Sequence, residues 1–119
     1  MKIEFLNGTN FEYINAVETE EYYNGASRRT LSFECAAGVI GVDELNTVLS
    51  NEENTATIEL SNGEITNIYD GYVLKAKCGI ENKLIQPETP EAPALYEDRL
   101  VFKLGKRTYI EEQLRKFGL

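Results

Sequence analysis

The chain has no histidine, two cysteines and three prolines in 119 residues, and no apolar run that approaches the length of a bilayer. Each shortage excludes a class of function. Without histidine, zinc sites of the usual kinds and Cys-His or Ser-His nucleophilic systems are ruled out, and the cysteines form no CxxC pair. A spanning helix needs roughly 20 consecutive apolar residues, and the N-terminal MKIEFLNGTNF carries no apolar leader core, so the protein is expected to be made and kept in the cytoplasm. In that setting Asn7-Gly8-Thr9 reads as a tight turn rather than a glycosylation site. Gly38, Gly41 and Gly71 are isolated, so no glycine-rich phosphate loop opens a helix. Asn51-Glu-Glu-Asn54 lacks the ligand spacing of a calcium loop and reads as a polar loop. No cofactor or metal is expected. A general acid–base pair would have to come from Asp, Glu, Lys, Tyr or Cys, and none stands at a motif spacing, so the chain is expected not to be an enzyme.

Positive charge is also scarce: 12 basic residues face 20 acidic ones, a net charge of −8. Acids recur over Glu18–Glu21, Asp43–Glu53 and Glu88–Asp98, while Arg28-Arg29 and the Lys103–Arg107 stretch are too small to reverse the field. Such a surface repels phosphate and anionic lipid, which argues against nucleic-acid and membrane partners.

What the chain does have is one dipeptide used three times, Asn7-Gly8, Asn24-Gly25 and Asn62-Gly63. Asn tolerates positive φ and Gly adopts it without steric cost, so Asn-Gly between alternating runs marks a hairpin. The flanks alternate: Ile3 and Phe5, then Phe11 and Tyr13, then Leu31, Phe33 and Cys35, each separated by polar residues. Both cysteines fall on apolar sides, Cys78 after Tyr72, Leu74 and Ala76, and are expected to be buried reduced thiols. A disulfide would require their strands to be neighbours. Most of the seven tyrosines are expected to pack half-buried on strands.

Between the strands, Val42, Leu45, Val48 and Leu49 have helical spacing and Asp43 and Glu44 suit the first turn, which predicts a helix over 42–50 after three strands. "TATIEL" and "EITNIYDGYVLKAKC" return to period two, with a bulge or break at Asp70-Gly71, and "IENKLI" predicts a further strand. "LYEDRLVFKL" turns Leu100, Phe102 and Leu104 inward. Pro87, Pro90 and Pro93 crowd into QPETPEAPA, 86–94, which can neither pair inside a sheet nor continue a helix and must be an exposed loop or arm. Thr108 and Glu111 form a capping box that predicts a helix over 108–117 with Ile110, Leu114 and Phe117 on one stripe. That stripe either packs on the strands or docks on another protein, and the proline segment either merely connects or is ordered against a neighbouring subunit. The whole reads as one α+β domain: a mainly antiparallel β-sandwich or barrel with one short flanking helix and a C-terminal helix.

The series "VDELNTVLSN", "TATIELSNGEI" and "YDGYVLKAKC", over roughly residues 1–85, resembles small prophage-encoded proteins of Firmicutes whose fold is similar to the tail-tube and baseplate-hub barrels of phage tails. The resemblance implies a structural assembly module, made in the host cytoplasm and ending in a virion, that joins copies of itself as a homo-oligomer or other tail proteins. It carries over no functional residue. Two rival readings are an acidic nucleic-acid mimic that blocks a host DNA-binding protein, which would gather its acids on one face, and a small-ligand-binding barrel, which would hold a large internal cavity.

Overall fold

The computed structural model describes residues 1–118, with residues 75–77 described by backbone alone. The elements run β1 (Lys2–Glu4), β2 (Asn10–Glu12), β3 (Asn15–Tyr23), β4 (Ala26–Ala36), α1 (Val42–Leu49), α2 (Glu52–Thr55), β5 (Thr57–Ser61), β6 (Thr66–Asp70), β7 (Leu74–Gln86), β8 (Leu95–Gly105) and α3 (Tyr109–Lys116). They form two antiparallel sheets, β2-β1-β5-β6 and β3-β4-β8-β7. Each sheet keeps its own edges, so the fold is a sandwich and not a closed barrel.

All three Asn-Gly pairs lie at reversals, but only one uses both residues at positive φ. Asn24 (φ 51) and Gly25 (φ 86) join β3 to β4 as a two-residue loop. At the β1–β2 turn only Gly8 (φ 92) is left-handed, and the Asn7 side chain accepts from the Thr9 N–H at 3.0 Å. The Phe5 N–H donates to the Thr9 carbonyl at 2.8 Å, which makes this a three-residue loop. At β5–β6 Gly63 (φ 101) turns alone, and the Asn62 amide oxygen caps the Ile65 N–H.

The chain changes sheets three times. The Tyr13 N–H bonds the Met1 carbonyl in the first sheet, while the next N–H, of Ile14, bonds the Glu34 carbonyl in the second. Four strands therefore precede α1 instead of three. The second change runs through α1 and α2, from β4 back to β5, and the third is the Asp70-Gly71 break: Gly71 (φ 82) ends β6, and β7 starts three residues later in the other sheet.

The inner faces meet in one core. Ile3, Phe5, Phe11, Tyr13, Ile58 and Leu60 of one sheet pack on Leu31, Phe33, Cys35, Leu100, Phe102 and Leu104 of the other. Phe33 and Phe102 are register partners with rings stacked at 4.7 Å, and Phe11 meets Phe102 edge-on at 6.1 Å. Leu45, Val48 and Leu49 of α1 close one side of the core.

Several details differ from the sequence reading. Asn51–Asn54 is not a plain loop: α2 begins there, with the Asn51 side chain accepting from the Glu53 N–H at 3.1 Å. From Leu74 on, "LKAKC" and "IENKLI" belong to one long strand, β7, which shifts register between Lys75 and Cys78 and then pairs without a break through Cys78-Gly79. The tyrosines divide by position: Tyr13 and Tyr72 are buried, whereas Tyr22, Tyr96 and Tyr109 are exposed. Cys35 is fully buried but Cys78 only partly so, because Cys78 lies on an edge strand. The side chain of Ala76 lies outside the described residues.

No disulfide joins the two cysteines, whose strands are separated by β8. Burial pushes the Cys35 thiol up to about 12, helped by Cys78 and the Glu34 carboxylate. A maleimide or disulfide reagent at pH 8 should therefore modify Cys78 first and reach Cys35 only after unfolding. Equal rates at both sites, followed by mass spectrometry of the peptides, would contradict this packing.

Candidate interaction surface

α3 is amphipathic, and it is attached by its polar side. Thr108 accepts from the Glu111 N–H while the Glu111 carboxylate accepts from the Thr108 N–H at 2.8 Å, the capping box expected from the sequence. The same carboxylate takes both terminal nitrogens of Arg28, at 2.6 and 3.3 Å. Arg28 is 2 % exposed and spends every N–H group on the fold: Nε donates to the Tyr23 carbonyl, and the terminal nitrogens to the Lys106 and Asn24 carbonyls. One guanidinium thus joins the β3–β4 turn, the β8–α3 link and α3 itself. Gly105 leaves room for it, since a Cβ there would lie 3.1 Å from the Arg28 Cδ and 3.3 Å from the Leu74 carbonyl. Arg107 adds a second clamp, pairing with Glu112 of α3 and Glu52 of α2.

Glu111, Glu112 and Arg115 occupy one side of α3, which turns Ile110, Leu114 and Phe117 to the other. Their exposures are 69, 45 and 77 %. No residue of α3 is buried. Of the two arrangements the sequence leaves open, packing of the stripe on the strands is therefore not the one adopted. The ion pairs decide this, because Arg28 and Arg107 hold the acidic side inward. Leu119 lies outside the described residues.

Hydrogen bonds from Arg28 and the Thr108 N–H hold the Glu111 carboxyl at about 2, below its ordinary 4.5. The unfolded chain therefore binds a proton at Glu111 that the folded chain refuses. The stabilisation is fully present above pH 4.5 and is lost as pH falls toward 2. Glu111→Gln should be less stable than the parent at pH 7, and their melting temperatures should converge as the pH is lowered through that window. A gap that stays constant down to pH 2 would refute the linkage.

At the opposite end, β7 and β8 outrun their neighbour. β4 stops pairing with β8 at Ala36↔Arg99, yet β7 and β8 continue as a two-stranded ribbon to Gln86↔Leu95. The paired overhang adds roughly 14–17 Å at about 3.4 Å per residue, with the tip beyond it, on a molecule measuring 61 × 29 × 29 Å. Pro87, Pro90 and Pro93 are all exposed at its tip, where Thr89 and Ala92 close a turn through reciprocal backbone bonds. The loop or arm read from the prolines is thus the end of an arm that the sequence did not announce. Leu84 and Tyr96 are register partners, and both are about half exposed, at 52 and 57 %. Ile80, four residues back along β7, lies on the same face. The only advance signal was the clustering of all three prolines between two alternating runs.

The space between the sheets is filled by the core. A groove of about 460 Å³ lies instead on the outer face of the second sheet, lined among others by Val17, Ser32, Glu34, Gly79, Val101 and Lys103. Among the described residues, no cluster of three or more His, Cys, Asp or Glu is placed to hold a metal ion, and no helix is long and apolar enough to cross a membrane.

These features define a two-sheet antiparallel sandwich with an apolar arm at one end and an outward-facing amphipathic helix at the other. Comparison of the chain with protein-family models, with curated proteins and with solved structures finds no match.

Proposed function

We propose that this chain is a non-enzymatic assembly module that acts through protein–protein contacts, as a component of a prophage tail or virion. The observation that carries the reading is the attitude of α3: a helix pinned by Arg28 and Arg107 with Ile110, Leu114 and Phe117 turned to solvent. Covering an exposed Leu or Phe is worth roughly 1.5–3 kcal/mol, so three such residues can offset a substantial part of the entropy lost on association. Contiguous apolar surface of this kind marks an interaction site on a soluble domain. The tail setting rests on the resemblance of the "VDELNTVLSN" to "YDGYVLKAKC" series. Localisation follows: the chain is made in the cytoplasm and carried into the particle.

The test is fractionation of particles from induced cells that carry the chromosomal element encoding this chain. The chain should sediment with intact particles and survive high-salt washing. Leu114→Asp with Phe117→Asp should leave it in the supernatant while its melting temperature stays within a few degrees of the parent. A wild-type chain found wholly apart from particles would overturn the tail assignment.

A further inference from the structure

We infer that the partner which covers α3 is the β7–β8 arm of a second copy of this chain, so that copies join head to tail. The inference rests on the assembly reading above and names its partner.

The two apolar surfaces lie at opposite ends of β8. Leu95 begins that strand in the arm and Gly105 ends it beside α3, a separation of roughly 35 Å at about 3.4 Å per residue. Within one molecule neither surface can cover the other. Between two molecules, the face built from Ile80, Leu84 and Tyr96 can lie on the stripe of Ile110, Leu114 and Phe117.

Charge distinguishes this pairing from the symmetric ones. Residues 80–98 carry five acids and one lysine, whereas residues 103–118 carry five basic residues and two acids in a chain of net −8. Glu111 and Glu112 pair with Arg28, Arg107 and Arg115 of the same molecule, and Lys103 pairs with Glu21, so the stretch keeps an excess of basic over acidic residues with part of it engaged internally. Helix against helix would oppose Arg115 and Lys116 to their own copies, and arm against arm would oppose Glu91 and Glu97. Arm against helix opposes unlike charges. The arm tip is also preset: three prolines and the Thr89–Ala92 turn restrict it before contact, which lowers the ordering cost of docking. Because the two surfaces differ, the contact is heterologous and repeats, closing into a ring or running on as a filament according to the rotation between copies.

The test is sedimentation velocity over a wide concentration range. Wild type should self-associate, more weakly at high salt. One variant blocks the helix, Leu114→Asp with Phe117→Asp, and another blocks the arm, Leu84→Asp with Tyr96→Asp. Each alone should be monomeric, whereas an equimolar mixture should give a heterodimer, since one intact arm and one intact helix remain. Charge reversal provides a second route that leaves the apolar residues in place. Arg115→Glu with Lys116→Glu should weaken association by about tenfold or more, and adding Glu91→Lys with Glu97→Lys to the same chain should restore it. Self-association by the arm variant alone, or a mixture that stays monomeric, would overturn head-to-tail joining and leave assembly through α3 standing. A wild type that is monomeric at every concentration would overturn it also, while particle association is decided by its own fractionation.

Discussion

Arg28→Ala is expected to lower the unfolding free energy by roughly 2–4 kcal/mol. For a domain of this size that is a fall in melting temperature of about 10 °C. The size follows from what the side chain does: it is 2 % exposed and serves three backbone carbonyls and one carboxylate. Removal leaves the Tyr23, Asn24 and Lys106 carbonyls without this donor and uncouples α3 from the β3–β4 turn. Glu111 is a third exposed, so its carboxylate can be rehydrated, and the loss is therefore smaller than for a fully buried pair. Lysine should rescue little, because an ammonium cannot span the bidentate carboxylate and the carbonyls at once. Thermal unfolding by circular dichroism measures the effect, and a loss below about 1 kcal/mol would show that α3 is attached by something else.

Phe102→Ala should cost still more, roughly 3–5 kcal/mol. Phe102 is 1 % exposed, stacks on Phe33 within its own sheet and meets Phe11 across the sandwich. Truncation deletes contacts between the sheets as well as within one, and the surrounding strands are too constrained by their ladders to close the gap. Urea unfolding should show a lower midpoint with an unchanged slope. The contrast with Phe117→Asp is the informative part. The two phenylalanines stand 15 positions apart, but one is core and the other is 77 % exposed, so the second change should leave the midpoint nearly where it was. A large destabilisation by Phe117→Asp would mean that the stripe of α3 is buried in the folded monomer.

Local chemistry by itself determined a good part of this protein. Gly8, Gly25 and Gly63 at the hairpins, the alternation of Ile3, Phe11, Phe33 and Phe102, the amphipathic period of 42–49 and the Thr108–Glu111 capping box each act over a few residues, so their outcome is legible without the rest of the chain. Neither the division of strands into two sheets nor the length of the arm is local. Tyr13 and Ile14 bond into different sheets because Met1 and Glu34 happen to lie on either side of them, and the β7–β8 ribbon becomes an arm only because β4 ends at Ala36. The orientation of α3 is the clearest case. Its stripe was visible in the sequence, and the hydrophobic effect alone would have turned it inward. Two arginines, one of them 83 positions away from its carboxylate, hold the other side down instead. Only the tertiary structure could decide that, because the carboxylate that pairs with the buried Arg28 guanidinium lies far away in the chain, and no local pattern shows that the two will meet.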